Sequence, residues 1–180
     1  MKYKAQRVGV FVDVQNLYYS AKALYGAKVN FGEILKTAIA DRIPIRAIAY
    51  AVKAEMPEEQ SFFDALEKLG YEVKTKDLQI FASGQKKADW DVGIAIDILK
   101  IAPKLDTIVL CAGDGDFTLL LEHAKAEGCR AEVISFGRST SAKLLEQADD
   151  YTDMDLDYKR YTLKPITNRK PKPDKDKESL

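Results

Sequence analysis

At 180 residues the chain is long enough for one domain with a sizeable core, and its apolar and charged fractions are those of an ordinary soluble globular protein. Basic and acidic side chains balance at 28 each, so net charge alone announces no nucleic-acid partner. No stretch of about 18 apolar residues and no signal-like N-terminal segment is present, which argues against a membrane partner.

The first strand-like run is VGVFVD, residues 8–13, followed by a helical pattern to about Tyr25. A second helix opens at Asn30, with Glu33 at capping-box spacing. Next comes IRAIAYAV at 45–52. Pro57 with Glu58 and Glu59 suits a first helical turn, and Gly70 suits that helix's C-terminal cap before YEVKT. A helix is predicted from about Asp89 to Ile101, ended by Pro103; then IVLCA, a helix capped by Gly128, and AEVISF at 131–136. Near-continuous apolar strands alternating with helices predict an α/β fold whose mainly parallel sheet is covered on both faces.

In such a fold the loops after the strands share the carboxyl edge, where ligands bind near a reversal in strand order. Asp13 ends the first strand, Asp89 and Asp91 open a helix, and Asp114 and Asp116 follow IVLCA. Unit charges ~4 Å apart interact by ~4 kcal/mol at an effective dielectric of ~20, so the paired carboxylates call for a compensating cation. Hard oxygen ligands of this kind suit Mg²⁺ or Mn²⁺. Each acid also has a plainer use. Asp13 can form a turn or cap, Asp89 is expected as an N-cap, and Gly115 can supply an unusual backbone conformation for a simple turn. Asp97 lies about 600° round the helix from Asp91 and is expected to hydrogen-bond within the fold, acting on the site at most from behind the ligands.

Lys86 and Lys87 before the acidic helix, and Arg138, Ser139, Thr140 and Ser141 after the last strand, are candidate phosphate contacts, with Ser141 also an expected N-cap. GDGDFT lacks the third glycine of a dinucleotide fingerprint, and no twelfth-position Glu completes an EF-hand loop. His123, the only histidine, is expected to serve packing or surface. Cys111 and Cys129 form no spaced framework, so two reduced thiols and a cytoplasmic location are expected. Residues 161–180 carry the basic side chains Lys164, Arg169, Lys170, Lys172, Lys175 and Lys177 against three acids. Without apolar periodicity this stretch is expected to be a disordered tail after a domain at 1–160.

The ordered set VFVDVQN, KADWDVGIAID, LCAGDGDF, GCRAEVISF and SAKLLEQADDYTDMD resembles the NYN domain family, a PIN-like nuclease group that includes the LabA/DUF88-type proteins. The resemblance covers about residues 7 to 157. It implies a Rossmann-like three-layer sandwich and metal-dependent cleavage of RNA, single-stranded or structured, leaving a 5′-phosphate and a 3′-hydroxyl. Matched by motif, the first-strand acid falls on Asp13, its Asn partner on Asn16, the helix acid on Asp91 and the last pair on Asp114 and Asp116. Asp97 matches a further acid. The expectation is a hydrolase in which Asp13, Asp91, Asp114 and Asp116 hold the metal, with Asn16, Lys87, Arg138, Ser139 and Ser141 toward substrate and Asp89 and Asp97 behind. A homodimer is compatible with the sequence. The alternatives are a non-catalytic RNA-binding or scaffold module and a Mg²⁺-dependent phosphatase, the latter lacking a second acid at Gln15.

Overall fold

The computed structural model describes residues 2–53, 59–80, 86–87 and 89–165. In chain order the strands are β1 (Arg7–Asp13), β2 (Ala27–Val29), β3 (Ile43–Lys53), β4 (Glu72–Asp77), β5 (Gln79–Ile80), β6 (Lys86–Lys87), β7 (Thr107–Cys111), β8 (Arg130–Ser135), β9 (Asp150–Asp153) and β10 (Thr162–Pro165). The helices are α1 (Val14–Tyr25), α2 (Phe31–Ile39), α3 (Glu59–Leu69), α4 (Asp91–Ile101), α5 (Thr118–Ala126), α6 (Ala142–Gln147) and α7 (Tyr158–Tyr161).

Six strands form one sheet in the order β4-β3-β1-β7-β8-β9, and all five pairings are parallel. Every residue of β1 after Arg7 is buried, as a strand covered on both faces requires. Val8, Val10 and Val12 pack with Leu17, Ile34, Leu35 and Leu66 of α1, α2 and α3. Phe11 points the other way, into Ile94, Ile98, Leu121 and Leu144 of α4, α5 and α6. The result is the helix–sheet–helix sandwich expected from the alternating rhythm.

Chain direction across the sheet reverses at β1: the chain moves outward first to β3 and β4, then returns to β7, β8 and β9 on the other side. The crevice between β1 and β7 is therefore the topological switch point, and both strands end there at their carboxyl edge.

Local signals account for most helix boundaries. Asp13 caps α1 by accepting the Asn16 amide at 3.0 Å, and left-handed Gly26 ends it. Asn30 caps α2 through the Glu33 amide at 3.3 Å. That helix leaves through Ala40 and Asp41, both at positive φ, which turns Arg42 inward. There the guanidinium is fully buried and bonds both Glu132 oxygens at 2.9 Å and the carbonyls of Ala38 and Ile39.

Two expectations are corrected. The N-cap position of α4 is Trp90 and not Asp89, the Trp90 side chain makes no cap bond, and the Asp89 carbonyl accepts from Lys76 Nζ at 3.2 Å. The ordered body also runs past residue 160, because β10 pairs antiparallel with β2, Thr162 opposite Val29. The Pro57 helix start and residues 166–180 of the expected tail lie outside the described residues.

Candidate metal centre

Three segments deliver carboxylates to the switch point. Asp91 is the first residue of α4, and Asp114 and Asp116 flank Gly115 in the loop after β7. One oxygen from each of these three acids lies within 4.8 Å of the others. Asp13, at the end of β1, is 8% exposed. Its carboxyl is pushed up from 3.8 to about 6, chiefly by burial, with the charges of Asp91 and Asp114 adding to the effect. Hydrogen bonds from the Asn16 and Gln15 amides pull it partly back.

Why the loop folds this way is visible in its glycines. Neither Gly113 nor Gly115 is at positive φ, so the conformational reason expected for Gly115 is not the operative one. Close approach is. A Cβ on Gly113 would lie 2.8 Å from the Ser139 carbonyl oxygen, and one on Gly115 would lie 2.7 Å from Ser141 Oγ. The loop after β8 thus packs directly on the acidic loop, tied by the Ser141 amide donating to the Gly113 carbonyl at 2.9 Å. Asp114 in turn accepts the Asp116 backbone amide at 3.0 Å, which holds the Asp114 carboxylate against the turn.

Asn16 works as a staple. Its amide donates to Asp13, and its Oδ1 accepts the Gly113 amide at 2.9 Å, joining the ends of β1 and β7. Asp91 is set by Trp90, a residue that pattern reading passed over. The indole N–H donates to the Ala51 carbonyl at 2.8 Å, and the ring lies 5.3 Å from Tyr50. A Cβ on Gly93 would come within 2.5 Å of that ring, so the glycine in the first turn of α4 makes room for it. The single tryptophan beside the helix acid, with glycine three residues on, was the available signal.

Other candidates fall elsewhere. Asp97 accepts the Tyr50 hydroxyl at 2.8 Å and Lys74 Nζ at 2.6 Å, a role within the fold. Burial pushes its carboxyl up, but the bonds from Lys74 and Tyr50 and the Lys74 charge outweigh that and hold it below the usual range. Arg138 pairs with Asp155 at 3.4 Å and lies over the Tyr25 ring at 5.0 Å. Ser139 Oγ donates to Ser20 Oγ at 2.9 Å, and Ser141, at the N-cap position of α6, makes no side-chain cap bond. The side chains of Lys86 and Lys87 are outside the described residues. His123 sits on α5, half exposed and 3.9 Å from Glu127. Cys111 and Cys129 are buried free thiols, and burial pushes both thiols up.

A six-stranded parallel sheet with acids gathered at its switch point defines a Rossmann-like, PIN-like sandwich. The NYN domain model matches residues 7–156, and the chain belongs to that family. It is 29% identical over 163 residues to the low amplitude and bright protein LabA of Synechococcus elongatus, covering 86% of this chain and 87% of LabA. Its fold superposes with a TM-score of 0.82 on the crystal structure of VPA0982, a protein of unknown function from Vibrio parahaemolyticus, at 31% identity. That match covers 91% of this chain and 99% of VPA0982. Among the described residues no helix is long and apolar enough to cross a membrane.

Proposed function

We propose that the protein is a metal-dependent ribonuclease. The observation that carries this is the convergence of one oxygen each from Asp91, Asp114 and Asp116 to within 4.8 Å of one another beside a fourth acid, Asp13, whose proton Asp91 and Asp114 help retain. Such a group is expensive without a cation, and its all-oxygen donor set fits Mg²⁺ or Mn²⁺ better than a softer metal. Membership of the NYN family supports phosphodiester hydrolysis as the chemistry and RNA as the substrate.

Asp91, Asp114 and Asp116 would hold the ion, with Asp13 completing or backing the set. When bound, the ion supplies positive charge toward a scissile phosphate and acidifies water. The chain's own part is positional. Asn16 holds the β1 and β7 ends together, and the Trp90 anchor fixes the start of α4. Ser141 stands against Gly115, between the two loop acids, where a hydroxyl can donate to a phosphate oxygen. The two buried thiols suit a reducing, cytoplasmic setting.

The test uses labelled single-stranded RNA with Mn²⁺, with and without chelator, beside a phosphate monoester. The expected result is RNA cleavage by the wild type that chelator stops and Asp114→Asn abolishes, with the monoester untouched. RNA binding without turnover would make the protein a scaffold, and monoester hydrolysis alone would make it a phosphatase.

A further inference from the structure

A strand of nucleic acid led to the switch point must pass the acids gathered there, so its phosphates beyond the metal need cations of the protein's own. The cations near the carboxyl edge differ in whether their charge is already neutralised. Arg138, after β8, is paired with Asp155. On β4, Lys74 and Lys76 lie two residues apart and point to the same face of the sheet, the one covered by α4. Lys74 Nζ sits 2.6 Å from the Asp97 carboxylate, which neutralises it.

Lys76, opposite Val52 and nearer the carboxyl edge, is exposed and makes no ion pair among the described residues. Its ammonium donates to the Asp89 carbonyl at 3.2 Å and lies over the Trp90 ring, 5.9 Å from the centroid. A carbonyl and an indole carry no formal charge, so they hold the head group in place without cancelling it. The carbonyl takes one of the three ammonium protons and leaves two for other oxygens. Asp89 and Trp90 are also the two residues immediately before Asp91. Two residues of chain span about 7 Å at most, so the ammonium is held within about 10 Å of the Asp91 backbone. Because it pairs with none of the clustered acids, it stands beside them, where the next phosphate of a bound strand would lie.

We propose that Lys76 binds a substrate phosphate adjacent to the scissile one, on the β4 side of the metal centre. This rests on the ribonuclease reading and adds to it the side along which the strand runs.

Binding is read by fluorescence anisotropy of labelled single-stranded RNA on the Asp114→Asn chain with Mn²⁺ over a series of KCl concentrations, and KM and kcat are measured without that substitution. Adding Lys76→Gln should weaken binding about 3- to 5-fold at low salt and lower the slope of log affinity against log salt by about 0.7, one contact on a single strand. KM should rise by a similar factor while kcat changes by less than about 2-fold. Lys76→Arg should restore the slope, and Lys104→Gln, at an exposed lysine just past the far end of α4, should leave it unchanged. Cleavage by Lys76→Gln with unchanged KM and salt slope would overturn the inference and leave the ribonuclease reading standing. So would a lower kcat with weaker Mn²⁺ binding and an unchanged slope, which would make Lys76 a prop for the start of α4. RNA neither bound nor cleaved by the wild type would remove both.

Discussion

Replacing Asp13 with asparagine removes a buried charge while keeping an oxygen that can cap α1, so its effect isolates the electrostatic cost of the acid cluster. The folded chain holds the Asp13 proton up to about pH 6, against 3.8 ordinarily. A difference of about two units corresponds to about 3 kcal/mol. Because the raised value favours the protonated folded state, this stability is fully present below pH 3.8 and is lost as pH rises through 6. Metal-free Asp13→Asn should escape that loss. At about 2–4 °C per kcal/mol for a chain of this size, its melting temperature should exceed the wild type's by up to about 10 °C at pH 8, with the gap closing toward pH 4. The assay is thermal unfolding of both proteins in chelator from pH 4 to 8 at constant ionic strength. Charged groups remote from Asp13 contribute alike to both proteins and cancel in the difference. Mn²⁺ at pH 8 should reverse the order, since its stabilisation grows with the logarithm of its affinity for the folded acids. Parallel curves across the range, or a variant less stable at pH 8 without metal, would refute the reasoning.

Asn16→Ala strands the Gly113 amide and should cost about 1–3 kcal/mol, read by urea denaturation. Lost cleavage with unchanged stability would instead place Asn16 on the substrate. Glu132→Ala leaves the fully buried Arg42 guanidinium without its carboxylate and should destabilise by about 3–5 kcal/mol, with full metal binding surviving in whatever fraction remains folded. Asp97→Asn weakens the bonds to Tyr50 and Lys74 and should lower stability by about 1 kcal/mol, Lys74 being partly exposed, while cleavage persists. Inactive but equally stable Asp97→Asn would move Asp97 into the reaction. Asp114→Asn keeps the cap on the Asp116 amide, so its metal-free melting temperature should hold or rise while the stabilisation by Mn²⁺ shrinks.

The apolar run at 8–13, the Asn30 to Glu33 spacing and the acids that end β1, open α4 and follow β7 are local properties, and they suffice for the α/β class and for placing Asp13, Asp91, Asp114 and Asp116 along one edge. Burial on both faces leaves a continuous apolar signature, and capping chemistry acts within four residues, so a single chain carries both openly. What the chain does not display is any choice made between distant segments. The polar edge strand DYTD at 150–153 owes its pairing to the β8 backbone, and β10 exists because β2 lies beside it. The glycines of GDGD are required by Ser139 and Ser141, more than twenty residues away, and Arg138 is drawn from the site by Asp155 and Tyr25. Likewise the apolar letters of α4 do not say which face meets the sheet. Only the packed structure divides Ile94 and Ile98 from Val92, Ile96 and Leu99, because burial belongs to the arrangement of whole elements and not to any residue alone.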